Sequence, residues 1–133
     1  MSNPSPAYGM FRQVNLPYAQ AVTRITETLK EQGFGILTEI DVKATMKKKI
    51  DKDVPAQVIL GACNPNLAFR AMEGEPAIGL LLPCNVVVRE DAAGNTIVGI
   101  LNPDSMVEMT GNMALKEVAV EARQRLTRAL EAI

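Results

Sequence analysis

The chain of 133 residues contains no histidine and no tryptophan, and aromatic residues make up only 4% of it. Without imidazole there is no Ser-His-Asp triad, no Cys-His dyad and none of the histidine sites that hold most zinc and copper. Two cysteines are too few for a disulfide framework, and the opening Met1-Ser-Asn-Pro-Ser-Pro lacks the basic and apolar regions of a signal peptide. A cytoplasmic location with reduced thiols is the expectation. Neither sign of charge is in excess: 14 Lys plus Arg against 15 Asp plus Glu leave a net charge of −1. That is no footprint for a phosphate backbone, so nucleic acid is not an expected partner. Long apolar runs are missing as well. Ile78 to Val88 is broken by Gly79, Pro83 and Asn85 and is too short to span a bilayer, so no membrane partner is expected.

What is present is an ordinary globular composition, 47% hydrophobic and 22% charged, in a chain long enough for one real core. Residues 1–9, with Pro, Ser and Gly, read as a flexible arm, and 10–133 as a single domain. Met10 to Val14 reads as a short strand. Leu16-Pro17 then opens a helix in which Tyr18, Val22, Ile25 and Leu29 recur at helical spacing, with Gly33 just past its end. Phe34 to Ile40 is strand-like, and Asp41 is a cap candidate for a helix through Lys49 with Val42 and Met46 inward. The Lys47-Lys48-Lys49 run falls in its last turn, where it complements the helix dipole.

After a polar loop at 51–55, Gln57 to Cys63 reads as a strand, and Asn64-Pro65 as the cap and first residue of a short helix to Met72. Ile78 to Arg89 is expected as one long strand bent at Pro83, returning through Asp91–Asn95 into Thr96 to Leu101 as a hairpin. Asn102-Pro103 repeats the cap-and-proline signal, and Leu115, Val118, Ala122, Leu126, Ala129 and Ile133 mark a last helix. This order predicts an α+β domain with a mainly antiparallel sheet covered by helices on one face. Val86-Val87-Val88 is apolar on both pleats, so burial of the second face by another copy, a homodimer, is expected.

Both cysteines are followed by asparagine, in Gly61-Ala62-Cys63-Asn64-Pro65 and Leu82-Pro83-Cys84-Asn85-Val86. Cys63 falls at a strand end before a helix N-terminus, where free N–H groups favour thiolate. It is the candidate nucleophile, or else a small buried hydrophobe closing a strand. Cys84 alternates with Leu82, Val86 and Val88, which places it on an apolar face. Glu39 and Asp41 project to one side as a carboxylate pair able to do acid-base work, with Lys43 near enough to hold an anion, or they are a surface residue and a cap. Met106, Met109 and Met113 at helical spacing could in principle offer soft sulfur donors for Cu(I), but a stripe at that spacing is far more often core, and core packing is the expectation. Gly33-Phe34-Gly35 lacks a third glycine and no phosphate loop exists, so no cofactor and no bound metal are expected.

Three stretches in order are similar to the signature segments of the bacterial and archaeal family catalogued as domain of unknown function 302. They are Gly33-Phe-Gly-Ile-Leu-Thr-Glu39-Ile-Asp41-Val-Lys43, Ile59-Leu-Gly-Ala-Cys63-Asn64-Pro65 and Gly79-Leu-Leu-Leu-Pro83-Cys84-Asn85-Val-Val-Val88. The resemblance spans about Met10 to Ile133. It implies a compact α+β domain similar to a single TATA-binding-protein-like repeat, commonly paired as a homodimer, and it brings no catalytic residues with it. Taken together, the sequence predicts a homodimeric module that binds a small thiol-reactive, sulfur-containing or anionic ligand. Its pocket would gather Cys63, Asn64, Cys84 and Asn85, with Glu39, Asp41 and Lys43 at the rim. Two alternatives stand beside it: a thiol-dependent enzyme or redox protein in which Cys63 attacks and Cys84 resolves, and a structural protein with buried, inert cysteines.

Overall fold

A computed structural model of the protein describes residues 6–133. Of the expected arm, residues 1–5 lie outside them. Its last residues are already tied down, because the Tyr8 carbonyl accepts a 2.7 Å hydrogen bond from the Asn102 N–H and Gly9 opens the first strand. Five strands, β1 (Gly9–Val14), β2 (Gly35–Asp41), β3 (Gln57–Cys63), β4 (Cys84–Glu90) and β5 (Thr96–Leu101), form one sheet in the order β1-β5-β4-β3-β2. Every neighbouring pair is antiparallel. β1 and β2 therefore run the same way at opposite edges, and the chain between them must cross the whole sheet.

Helix α1 (Tyr18–Glu31) makes that crossing, in contact with β2, β4 and β5. Its stripe is the one the spacing predicts: Ile25 and Leu29 are fully buried, and Tyr18 and Val22 pack at the margin. Gly33 ends it in the left-handed region at φ 84, and the N–H groups of Gly33 and Phe34 bond back to the carbonyls of Lys30 and Leu29 at 2.9 Å each. That double closure satisfies carbonyls the helix leaves open and turns Phe34 under Leu29, where both are buried.

The chain closes through α4 (Asp104–Thr110), one 3-10 turn at Met113–Leu115 and α5 (Lys116–Glu131), which lies against α1. Val118, Ala122, Leu126 and Ala129 are buried along one stripe of α5. Truncating Leu126, which has no exposure, to Ala would cost roughly 2–5 kcal/mol. Arg12 of β1 donates from Nη1 to the carbonyls of Leu130 at 2.9 Å and Glu131 at 3.0 Å, capping α5 with a positive charge where its dipole is negative.

Pairing register divides the sheet cleanly. Val58, Leu60, Ala62, Cys84, Val86, Val88, Val98 and Ile100 face the helices and are buried. Phe11, Ile97, Leu101, Asn85, Val87, Ile59 and Ile40 occupy the other face, which no helix covers. Arg89 is the single charge among its paired strand residues. Phe11 lies over Gly99, whose missing side chain makes room for the ring.

The long strand expected over Ile78 to Arg89 is two elements. Pro76–Leu81 is a 3-10 helix pinned by the buried Ile78, the Leu82–Pro83 peptide is cis, and the strand starts only at Cys84. Pairing explains the boundary, since the ladder with β3 ends at Ala62 opposite Cys84 and offers no partner further back. Apolar content alone could not separate a strand from a tight helix anchored by one residue. No helix is long and apolar enough to cross a membrane among the described residues.

Candidate functional site

At the end of the sheet where β3 stops and β4 starts, backbone geometry brings the two cysteines together. Cys63 is the last residue of β3 and Cys84 the first of β4, with Ala62 paired directly to Cys84. The cysteines are thus diagonal neighbours, with Cα atoms roughly 6 Å apart from standard strand spacing and rise. Both are free thiols, Cys84 buried and Cys63 half-buried. Both residues border one cavity of about 30 Å³, with Phe34, Asn64, Leu82, Pro83, Met106, Val118 and Ala122, Cys84 by its helix-facing side chain. On the same measure a water molecule needs roughly 10–15 Å³, so the space suits an ion or a ligand of two or three atoms.

Local sequence fixes the walls. Asn64 caps α3 (Pro65–Gly74): its side-chain Oδ1 accepts from the Leu67 N–H at 3.2 Å, and its carbonyl accepts from Ala68 at 2.9 Å. Its Nδ2 sits against Gly33, where a Cβ would come within 2.8 Å of it. The asparagine is therefore held by the fold before any ligand arrives. α3 is tied to α5 by Arg70, whose Nη1 lies 3.0 Å from Glu121 Oε1, while Arg125 reaches the same carboxylate at 3.2 Å. The hydrogen bond from Arg70 is the main reason the Glu121 carboxyl sits below its ordinary pKa. On the strand side Gly61 is packed under Thr38 and the Pro83 ring, 2.7 Å from where its Cβ would stand.

Burial pushes the Cys84 thiol up to about 11, and the neighbouring Cys63 adds to the shift. At pH 8 only about one Cys84 in a thousand is then thiolate. Cys63 follows Ala62 by one residue, so the pleat turns its side chain away from Cys84, to the sheet face that also carries Asn85.

The remaining sequence candidates lie elsewhere. Asn85 follows Cys84 by one residue, so the pleat turns it to the uncovered face, where it is exposed. Glu39 and Asp41 pair with Leu60 and Val58, carrying them along β2 away from Cys63. Over five residues of β3, Asp41 is roughly 17 Å from the cavity end. Both carboxylates do share a face, as the two-residue spacing predicts, and with Glu90 they bear on Tyr18. Burial first, then Asp41, Glu39 and Glu90, raise the Tyr18 hydroxyl above 10.0. Asp41 is also a helix cap, accepting from the Ala44 N–H at 2.9 Å at the start of α2 (Val42–Ile50). Lys43 donates to the Val54 carbonyl at 3.1 Å and approaches neither cysteine.

Two wall residues escaped the sequence-based pocket. Met106 was grouped with Met109 and Met113 as one stripe, yet it is 6% exposed and they are 70% and 64% exposed. Only burial separates them, and burial is not visible in a stripe. Phe34 reaches the cavity because the Gly33 closure turns it inward, a consequence readable only once that closure is known.

The sequence profile of the domain of unknown function DUF302 matches residues 10–133. The crystal structure of an uncharacterized conserved DUF302 protein from Bacillus stearothermophilus is similar with a TM-score of 0.89 and 31% identity, over 96% of this chain and 98% of that one. A search of curated proteins finds no match. With the profile covering all five strands and all five helices, the chain belongs to the DUF302 family.

Proposed function

We propose that the protein is a homodimeric module that binds a small, soft ligand in the sulfur-lined cavity at Cys63 and Cys84, in a reducing compartment such as the cytoplasm. The observation that supports this reading is that Cys63 and Cys84, 21 residues apart in sequence, both border one cavity of about 30 Å³ at the same sheet end. That volume has no room for a nucleotide, a sugar or a peptide. Asn64 belongs to the wall, whereas Asn85, Glu39, Asp41 and Lys43 drop out of the pocket. The thiol-enzyme alternative is disfavoured by Cys84, because a thiol held at about 11 resolves a Cys63 adduct slowly at neutral pH.

The dimer rests on the uncovered face. Five strands about 4.8 Å apart and six residues rising about 3.4 Å each give it on the order of 500 Å², near the upper end of apolar patches on monomers. A groove between Leu80, Asn85, Leu101 and Met109 continues the apolar surface beyond the strands. With one charge on the face and a net charge of −1 per chain, a second copy meets little repulsion.

Two measurements test the parts separately. Alkylation of the folded, reduced chain, mapped by mass spectrometry, is expected to modify Cys63 and spare Cys84 until unfolding. Inert behaviour of both cysteines would return the cavity to a structural role. Sedimentation is expected to give a dimer that Val87→Lys converts to a folded monomer, whereas a wild-type monomer at micromolar concentration would remove the dimer and leave the cavity reading intact.

A further inference from the structure

We propose that the dimer is built around Asn85, with the two-fold axis passing through this residue so that the two carboxamides hydrogen-bond to each other. This rests on the reading of the uncovered sheet face as a homodimer interface, and it fixes where the two copies meet. The starting point is area. A stable interface covers about 800 Å² on each partner, whereas the strand face supplies on the order of 500 Å². The remainder must come from apolar surface next to the strands.

Pairing register shows which end of the face offers it. At one end Gln13, Arg89 and Gln57 share a row with Ile97, a polar margin. The next row, through Phe11, Gly99, Val87 and Ile59, is apolar. Beyond it stand Asn85 and Leu101, and then Leu80 and Met109, at 88% and 70% the most exposed large apolar side chains among the described residues. An interface that takes in both the apolar row and this rim has its midline at Asn85 rather than at Val87. A groove of about 220 Å³ along Tyr8, Phe11, Val87 and Gly99 lies on one side of that line. The groove at Leu80 and Met109, about 240 Å³, lies on the other, and Asn85 and Leu101 border both.

Two-fold symmetry turns that arrangement into a fit. Rotation about an axis lying across the strands at Asn85 sets each side of the face against the other side of its copy. Leu80 and Met109 of one chain then reach the groove of Phe11 and Val87 in the second, and the same contact is made in reverse. Asn85, on the axis, meets itself, as Leu101 beside it does. The carboxamides of Asn64, Asn95, Asn102 and Asn112 are engaged within the fold, while that of Asn85 is exposed and has no partner among the described residues. A carboxamide both donates and accepts, so two of them across an axis form two hydrogen bonds, the N–H of each to the oxygen of the other. A shifted register would bury the same amide unpaired, so Asn85 selects one register of an otherwise apolar contact.

The test is sedimentation equilibrium of Asn85→Asp and Asn85→Lys in the full chain, each alone and mixed, beside the wild type at neutral pH. The position is exposed in the single chain, so both variants should fold, which circular dichroism checks. Each alone sets like charges against each other on the axis and should dimerise about 100-fold more weakly than the wild type. An equimolar mixture should form a heterodimer of near wild-type affinity, since only a residue that faces its own copy meets the opposite charge there. Leu80→Glu should weaken dimerisation about tenfold or more, and Gln13→Glu at the polar margin should leave it unchanged. A mixture that stays as weak as its components, Leu80→Glu dimerising as the wild type does, or Gln13→Glu as disruptive as Asn85→Asp overturns the proposal, while the dimer reading stands on Val87→Lys. A wild type that is monomeric at micromolar concentration ends both.

Discussion

Asp41 and Asn64 do the same local work at opposite ends of the β2–β3 pair, each ending a strand and capping the helix that follows. Asp41 leads into α2, which has no buried residue, and shares its end of the sheet with Glu39, Glu90 and Tyr18. Asn64 leads into α3, which buries Leu67 and Ala71, and shares its end with the buried Cys84 and Met106 and an apolar cavity. One end is wet and anionic. The other is dry, and any charge formed there must be met by the helix terminus or by a ligand. The same short sequence signal therefore marks a surface turn in one place and the wall of a site in the other, and tertiary burial makes the difference.

Removing each cap measures that difference. Asn64→Ala deletes a buried amide, leaves the Leu67 N–H without its partner and loosens the contact with Gly33, so about 2–3 kcal/mol of stability is expected to go. Asp41→Ala loses a cap that water can replace, and about 0.5–1 kcal/mol is expected. Urea unfolding of both variants decides it. Equal losses would mean that the two ends are energetically alike and that burial at the cysteine end counts for little.

The dry end should also show in alkaline titration. A thiol whose folded pKa is raised binds its proton more tightly in the native state, so its contribution is fully present below the ordinary value of 9.0. It is lost as pH rises through about 11. Between about pH 8 and pH 10.5 this amounts to roughly 2 kcal/mol. Tyr18 at the other end acts in the same direction, so the informative quantity is the wild type minus Cys84→Ala, in which Tyr18 cancels. The variant is expected to start less stable because of the void and then to lose about 2 kcal/mol less over that interval. Parallel curves would show Cys84 to be better solvated than its burial implies.

Most of the architecture was legible in the sequence because each element carries its own signal. Periodicity marked α1 and α5, Asp41 and Asn64-Pro65 marked two helix starts, and alternation placed Cys84 on the buried face. The failure at Ile78–Leu82 has a physical cause, since a run of apolar residues is compatible with a strand or with a tight helix until pairing decides. The site was legible in part. Cys63, Asn64 and Cys84 come to one sheet end because β3 and β4 are adjacent, which the hairpin logic did not establish. Asn85 was lost to the pleat, and Glu39, Asp41 and Lys43 to the antiparallel direction of β2, which carries its far end away from Cys63. Proximity in a sequence motif does not survive a change of strand direction.

Two of the helix ends that adopt left-handed backbone, those of α1 and α2, give the smallest effect and the finest comparison. At the dry end Gly33 holds φ 84 against Asn64, and Gly33→Ala adds both backbone strain and a Cβ 2.8 Å from Nδ2, for a loss of about 1–2 kcal/mol. At the wet end α2 closes on Asp51 at φ 52, a residue that tolerates the left-handed region less well than glycine. Asp51→Gly relieves that strain and gives up an exposed ion pair to Lys47 at 2.9 Å, while Asp53 remains 3.6 Å from the same ammonium. An exposed pair contributes little and is screened by salt, so a net gain of about 0.5 kcal/mol is expected, larger at about 1 M salt than at low salt. A loss that persists at high salt would mean that the Asp51 side chain, rather than its backbone conformation, governs this end of α2.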